Sequence, residues 1–285
     1  MFQIGAKKSG AHRTGRQESS EERIQIKALW TDFHSTWVTP VQHLTKAKIV
    51  VQVAEKVLKR TIDEKPETVY RRVLRVRLKL AKILSRREQG SPVGWILANM
   101  VVFNCNHVQA MEMSNLFVRA IETFRMTRTR RRFFEWLFAY FQHLQKGKVL
   151  TASNSNRKTI QGFMQKPGQR GLSKRLRIVT GEQLGCYKPS PEFFIKLRRL
   201  TDVPEKNILF IGNSLFNDLA AARWREEGRS AGVHVLLILE RGLPLNRRQI
   251  EKRFGLNRSV GKVFIVRNLA EARQVISAQF VGVRG

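Results

Sequence analysis

The stretch that most constrains this chain is Ile208-Leu209-Phe210-Ile211-Gly212-Asn213-Ser214-Leu215-Phe216-Asn217-Asp218-Leu219. An apolar run rich in β-formers ends abruptly in Gly-Asn-Ser, and a helix-like segment, Asp218 to Arg223, begins at a carboxylate. An uninterrupted apolar run of this length reads as a strand buried on both faces, as in parallel sheets. Polar side chains at its carboxyl end stand where open α/β sheets place their ligands.

The same rhythm runs through much of the chain. Ile24 to Trp30 alternates and gathers apolar residues, which predicts a first, central strand. It leads into Thr31-Asp32-Phe33-His34-Ser35-Thr36-Trp37. A carboxylate just past a strand end, followed by hydroxyl residues, suits a nucleophile or a metal ligand, and equally suits an Asp capping the next turn. Lys148 to Ala152 is a strand emptying into Ser153-Asn154-Ser155, and Asn156 to Met164 a helix. Arg175 to Thr180 is a short strand, and Pro191 to Leu200 an amphipathic helix after Tyr187-Lys188-Pro189-Ser190. His234 to Leu239 and Lys262 to Val266 are two more strands, and Leu269 to Ile276 is a terminal helix. This alternation predicts an α/β fold with a Rossmann-like, doubly wound parallel sheet over residues 24–40 and 147–285.

Residues 41–146 differ in character. Glu67 to Arg87 has the spacing of one helix, with Val69, Val73, Leu74, Leu78, Ala81 and Leu84 available for burial and arginines and lysines crowding the other positions. Gly90-Ser91-Pro92 breaks it, and further helices run through Trp95 to Met113 and Ser114 to Phe124. Arg125, Arg128, Arg130, Arg131 and Arg132 then precede the aromatic run Phe133 to Phe141, whose helical spacing marks it as core. Arginines packed this densely repel one another unless a polyanion neutralises them. The segment is therefore expected to be an inserted, strongly basic helical domain. Arg71, Arg72, Arg75, Arg125, Arg128, Arg130, Arg131 and Arg132 are its candidate nucleic-acid contacts.

Charge supports that expectation. The 285 residues include 53 Lys and Arg against 22 Asp and Glu, a formal net charge of +31, while 42% hydrophobic residues mark a folded chain. A small acidic substrate needs only a few positive charges, whereas a polyanion rewards dozens through counterion release. A merely solvated basic surface is the other reading. Cys105 and Cys186 stand far apart and lack partners at metal-ligand spacing, which argues against a disulfide framework and a structural zinc site. No apolar run approaches the roughly 18 residues of a membrane span. Residues 1–23 read as a flexible basic arm. Met1 to Gln17 contains no acid and carries Lys7, Lys8, Arg13 and Arg16, as an organelle-targeting segment or a nucleic-acid-binding tail would. Without a secretory core, the expected location is the mitochondrion, or otherwise the cytoplasm.

In order and chemical type, Asp32 with Thr36, then Ser153, Lys188, and Asn213 with Asp218 resemble the four motifs of the haloacid dehalogenase (HAD) superfamily, most of whose members are phosphatases with an aspartate nucleophile. The resemblance covers residues 25–40 and 147–285, and makes 41–146 the helical cap that many members insert after the first motif. It is strongest over Gly185 to Phe194 and Ile208 to Ala222. It implies Asp32, His34, Thr36, Ser153 and Lys188 as catalytic positions, with Asp32 attacking phosphorus while Ser153 and Lys188 position and neutralise the transferred group. Mg²⁺ would be held by Asp32, a backbone carbonyl near His34, Asn213 and Asp218. The chain departs from the pattern three times. His34 stands for a second Asp, Ser35 for Gly, and Asn213 for an Asp. The last change removes a charge from the metal site and weakens Mg²⁺ binding.

Two expectations follow. One is an inactive HAD pocket in an RNA-binding structural component of a ribonucleoprotein, a mitochondrial ribosome fitting best, with rRNA and neighbouring proteins as partners and no membrane. The other is a Mg²⁺-dependent phosphohydrolase acting on a phosphorylated or polyanionic substrate. A metal-free dehalogenase-like enzyme draws no support from the charge.

Overall fold

A computed structural model of the chain describes residues 2–4, 23–33, 36–37, 43–80, 83–84, 92–121, 126–145, 147–166, 169–226, 229–240, 250 and 261–282. It begins with β1 (Phe2–Ile4), β2 (Ile24–Ile26) and β3 (Ala28–Thr31). Five helices follow: α1 (His43–Leu58), α2 (Pro66–Leu80), α3 (Val93–Phe103), α4 (His107–Ile121) and α5 (Arg128–Tyr140). Next come β4 (Val149–Ser153), α6 (Arg157–Met164), α7 (Arg170–Ser173), β5 (Arg177–Thr180), α8 (Gly181–Leu184), α9 (Pro191–Thr201) and β6 (Ile208–Gly212). The chain continues through β7 (Trp224–Glu226), β8 (Arg229–Ala231), β9 (His234–Ile238), β10 (Val263–Val266), α10 (Leu269–Gln279) and β11 (Phe280–Gly282).

Among the described residues, seven strands form one sheet in the order β1-β10-β9-β6-β3-β4-β5, parallel except for the antiparallel edge strand β1. The chain steps from β3 outward to β4 and β5, then returns to β6 on the other side of β3. That reversal opens a crevice at the carboxyl ends of β3 and β6.

Side-chain alternation explains why both faces are covered. Ala28 and Trp30 of β3 join Ile208 and Phe210 of β6 in one hydrophobic cluster, whereas Leu29, Leu209 and Ile211 join another. Successive strand residues point to opposite faces, so an uninterrupted apolar run must be buried twice. Helices α5, α6 and α10 close one face, and α9 with the turn Leu219–Ala222 closes the other.

Several expectations are corrected. Ile24 to Trp30 is two strands. After Ile26 the chain shifts, Lys27 N donates to Asn207 O at 2.8 Å, and β2 pairs with β11 in a separate two-stranded sheet. The segment after Asp218 forms only the 3₁₀ turn Leu219–Ala222 before entering β7, where Trp224 stacks on Phe194. The flexible-arm expectation fails for Phe2–Ile4, which pairs with β10, while residues 5–22 lie outside the described residues.

The helical region also differs in detail. Helix α2 is described over Pro66–Leu80, residues 81–82 and 85–91 lie outside the described residues, and Leu78 is 67% exposed because the packed face is carried by Val69, Tyr70 and Val73. Asn104 adopts the left-handed conformation (φ 48°, ψ 57°) and ends α3, a geometry that Asn tolerates better than most residues. Helices α1–α4 share their own apolar cluster, including Ala47, Val73, Ala98 and Phe117. Helix α5 does not belong to it. Phe133, Phe134, Leu137 and Phe138 pack instead with Leu29, Ile211 and Phe264 on the sheet face.

Candidate functional site

The site is built where β3, β4 and β6 end. Asp32 follows β3, and its backbone N donates to Ile211 O at 2.8 Å, fixing it at the crevice between β3 and β6. Ser153 closes β4 and is fully buried, its Oγ accepting from Ser155 N at 3.1 Å. Lys188 arrives on the loop after α8. Its backbone is clamped by Asn154: Lys188 N donates to Asn154 Oδ1 and Asn154 Nδ2 donates to Lys188 O, both at 2.8 Å.

These supports aim one ammonium at two carboxylates. Lys188 Nζ donates to Asp32 Oδ1 at 2.5 Å and to Asp218 Oδ1 at 2.7 Å, and all three residues are buried. The other oxygen of Asp218, Oδ2, accepts the backbone N–H groups of Asn213 and Ser214, each at 3.0 Å. Gly212 permits this approach, because a Cβ there would stand 2.5 Å from Asp218 Oδ2. Burial pushes the Asp32 carboxyl from 3.8 up to about 7, Asp218 adds to the rise, and Lys188 opposes it. For Lys188, burial disfavours the charge, but Asp218 and Asp32 outweigh it and hold the ammonium above its ordinary value. The cluster sets one cation against two buried acids, and Asp32 resists ionisation there.

The remaining site positions diverge from expectation. His34 lies outside the described residues. Thr36 is buried, but its hydroxyl finds no hydrogen-bond partner among the described residues; its backbone carbonyl accepts from Arg130 instead. Arg130 is the clearest correction. It was expected on a nucleic-acid-binding surface, yet its side chain is only 3% exposed. One terminal nitrogen donates to Thr36 O at 2.7 Å and the other to Glu240 Oε2 at 2.6 Å. Burial lowers its pKa from the ordinary value while Glu240 pulls upward. Arg130 thus pins the loop after Asp32 to the end of β9. Beside it Trp37 stacks on Phe134 at 3.7 Å between ring centroids and donates Nε1 to Thr31 Oγ1 at 2.8 Å. Helical spacing held the missed signal: Arg130, Phe134 and Leu137 share one buried stripe.

The other arginines fare differently. Arg71, Arg72 and Arg75 are exposed on α2, with Arg72 paired to Glu64. Arg128, Arg131 and Arg132 are exposed at the start of α5, with Arg131 paired to Glu135 at 2.8 Å. Arg125 lies outside the described residues.

The described residues do not fit a resident Mg²⁺ centre. Asp218, expected as a ligand, commits one oxygen to Lys188 and the other to two backbone N–H groups. Among the described residues no three His, Cys, Asp or Glu side chains come together to hold a metal. Asn213 supplies no charge, and Asp32 already faces the ammonium of Lys188, so the described residues do not offer the anionic donor set that a hard divalent ion needs.

Neither a protein-family model nor a curated protein sequence matches the chain. Among solved structures it is similar to a magnesium-bound protein of Bacillus subtilis described as a HAD-hydrolase, with TM-score 0.58 and 12% identity over 90% of this chain and 100% of that one. It is also similar to a 2-haloacid dehalogenase of Pseudomonas syringae (TM-score 0.53, 14% identity, 89% and 99% covered) and to a HAD phosphatase of Thermococcus onnurineus (TM-score 0.53, 15% identity, 90% and 100% covered). The chain has the HAD-like fold. No described helix is long and apolar enough to cross a membrane.

Proposed function

We propose that this HAD-fold chain works as an RNA-binding structural component of a ribonucleoprotein, and that its pocket does not run Mg²⁺-dependent phosphate hydrolysis. The surplus of surface cations carries the reading: a formal charge of +31, with Arg71, Arg72, Arg75, Arg128, Arg131 and Arg132 exposed. The pocket adds support, because Asp218 spends both oxygens within the protein and leaves few donors for a metal. A ribosome rewards this charge through phosphate contacts, and the acid-free Met1 to Gln17 suits a mitochondrial particle.

The test is binding to a structured rRNA fragment by fluorescence anisotropy across a salt series. Log affinity should fall steeply with log salt, and replacing the six exposed arginines with Gln should flatten the slope by roughly 0.7–0.9 per lost phosphate contact. A flat salt dependence, or full affinity in the six-fold variant, overturns the reading.

One observation favours the alternative, a phosphohydrolase with Asp32 as nucleophile: Asp32, Ser153 and Lys188 all stand at the same end of the sheet, with Lys188 on Asp32. Hydrolysis of p-nitrophenyl phosphate with Mg²⁺, abolished by Asp32→Asn, would put that reading first.

A further inference from the structure

Helices α5 and α10 lie side by side on the sheet and present a basic outer face that the Asp32 cluster does not use. Tyr140 Oη donates to Phe280 O at 2.7 Å, and Phe133 and Leu137 share a buried cluster with Ala272 and Ile276. The face is therefore a fixed platform. Each of the two helices contains a single acid, and both acids are taken by neighbours on their own helix. Glu135 pairs with Arg131 at 2.8 Å, and Glu271 with Arg267 at 3.4 Å. Arg128, Arg132 and Arg273 are exposed and, among the described residues, pair with no carboxylate. On α2, by contrast, Arg71 Nε donates to Glu67 O and Arg72 pairs with Glu64.

The three arginines are arranged around one half-buried aromatic. Arg128, Arg132 and Trp136 follow one another at intervals of four residues and so form one row along α5. Arg273 of α10 stands over Trp136, its guanidinium carbon 4.7 Å from the ring centroid. The indole is braced in turn by Phe133 and Tyr140, at 5.9 and 5.3 Å between centroids. The row also starts against the helix dipole. The first turn of α5 has no acid, where α9 and α10 place Glu192 and Glu271. Positive charge at that end works against the macrodipole, a cost that an external polyanion offsets.

We propose, building on the RNA-binding reading above, that this face takes a single-stranded stretch of RNA, with one unpaired base stacked on Arg273 above Trp136 and flanking phosphates on Arg128 and Arg132. Unpaired bases stack on guanidinium planes as they do on aromatic rings, and an indole beneath the guanidinium holds it flat. The two remaining arginines offer forked donors to the phosphate oxygens. An acidic peptide would meet the same charges but has no base to lay on Arg273.

The test is fluorescence anisotropy on the full chain with two labelled RNAs of equal phosphate count, a hairpin with an unpaired adenine loop and a blunt duplex. Charge alone favours the duplex, whose phosphates are more closely spaced. The chain should instead bind the hairpin about tenfold more tightly or better. Arg273→Lys keeps the charge and removes the flat surface. Hairpin affinity should then fall about fivefold or more while duplex affinity stays within about twofold. Trp136→Leu should act in the same direction, and the exposed Arg273 supplies the deciding variant if that protein fails to fold by circular dichroism. Arg128→Gln combined with Arg132→Gln should weaken both RNAs alike and flatten the salt slope by roughly 0.7–0.9 per arginine. Failure to bind either RNA removes the RNA-binding reading, and this face with it. Binding of both without a hairpin preference, an unchanged hairpin constant in Arg273→Lys, or full affinity in the double variant would overturn this face alone. Displacement of the hairpin by polyglutamate as readily as by unlabelled hairpin would also overturn it, in favour of an acidic protein partner.

Discussion

Replacing Asp32 with Asn should remove a pH dependence that the wild-type chain carries in its core. Lys188 joins two buried carboxylates, and Asp32 adds a negative charge to the cluster when it ionises. Burial, reinforced by Asp218, moves Asp32 from 3.8 to about 7 against the pull of Lys188. The folded state thus holds a proton that the unfolded state releases near pH 3.8. The stability it contributes is complete below that value and is lost as pH rises to about 7. The rise from 3.8 to about 7, at ~1.36 kcal/mol for each tenfold change in proton affinity, amounts to roughly 4 kcal/mol. Asn preserves the shape of the side chain and an acceptor for Lys188, but it cannot ionise. Urea unfolding of both proteins between about pH 4 and about pH 8 measures the effect. The stability of Asp32→Asn relative to wild type should climb by roughly 4 kcal/mol across that range. Other titrating groups, His234 among them, cancel in the difference. Parallel curves, or a gap that narrows as pH rises, would refute both the raised carboxyl and the closed three-residue cluster.

Two further substitutions probe what holds the site. Arg130→Met leaves the Thr36 carbonyl without its donor and Glu240, one-third exposed, without its partner. Because water can reach Glu240, the loss should be about 2–3 kcal/mol in urea unfolding, short of the 3–5 of a fully buried pair. A change below about 0.5 kcal/mol would show that the loop after Asp32 is held by something else. Gly212→Ala drives a Cβ to 2.5 Å from Asp218 Oδ2 and 2.6 Å from its Cγ. It should cost about 1–3 kcal/mol and lower the melting temperature; an unchanged melting temperature would mean that the turn yields without strain.

How far the sequence revealed this structure can be seen residue by residue. Ile208 to Ile211 was readable because a run without polar residues admits few placements, and both its faces are indeed covered. Asp32 and Lys188 were readable through order and chemical type, yet their separation of 156 positions hid the ammonium shared with Asp218. Asn154 stood in view beside Ser153, but nothing local indicates that its amide brackets the backbone of a residue 34 positions away. Periodicity marked the aromatic helix α5 as buried without indicating against what, so it was grouped with the wrong helices. In the same way, a run of arginines reads as surface until the buried stripe is traced through it. The break between β2 and β3 was invisible because alternation continues across Lys27 while the hydrogen-bonding partner changes.

The sheet order has a consequence for how the chain is made. Central strand β3 emerges from the ribosome early, but its partners come much later: Leu29 pairs with Val149, and Ala28 with Ile208. Until those segments are synthesised, Trp30 and Leu29 have no sheet to enter. Helices α1–α4 have their own apolar cluster and lie wholly between β3 and β4, so they can collapse first. The last pairing, β11 against β2, waits for Gly282. A nascent chain stalled anywhere before β6 therefore displays a half-built apolar strand, the segment a chaperone would have to shield.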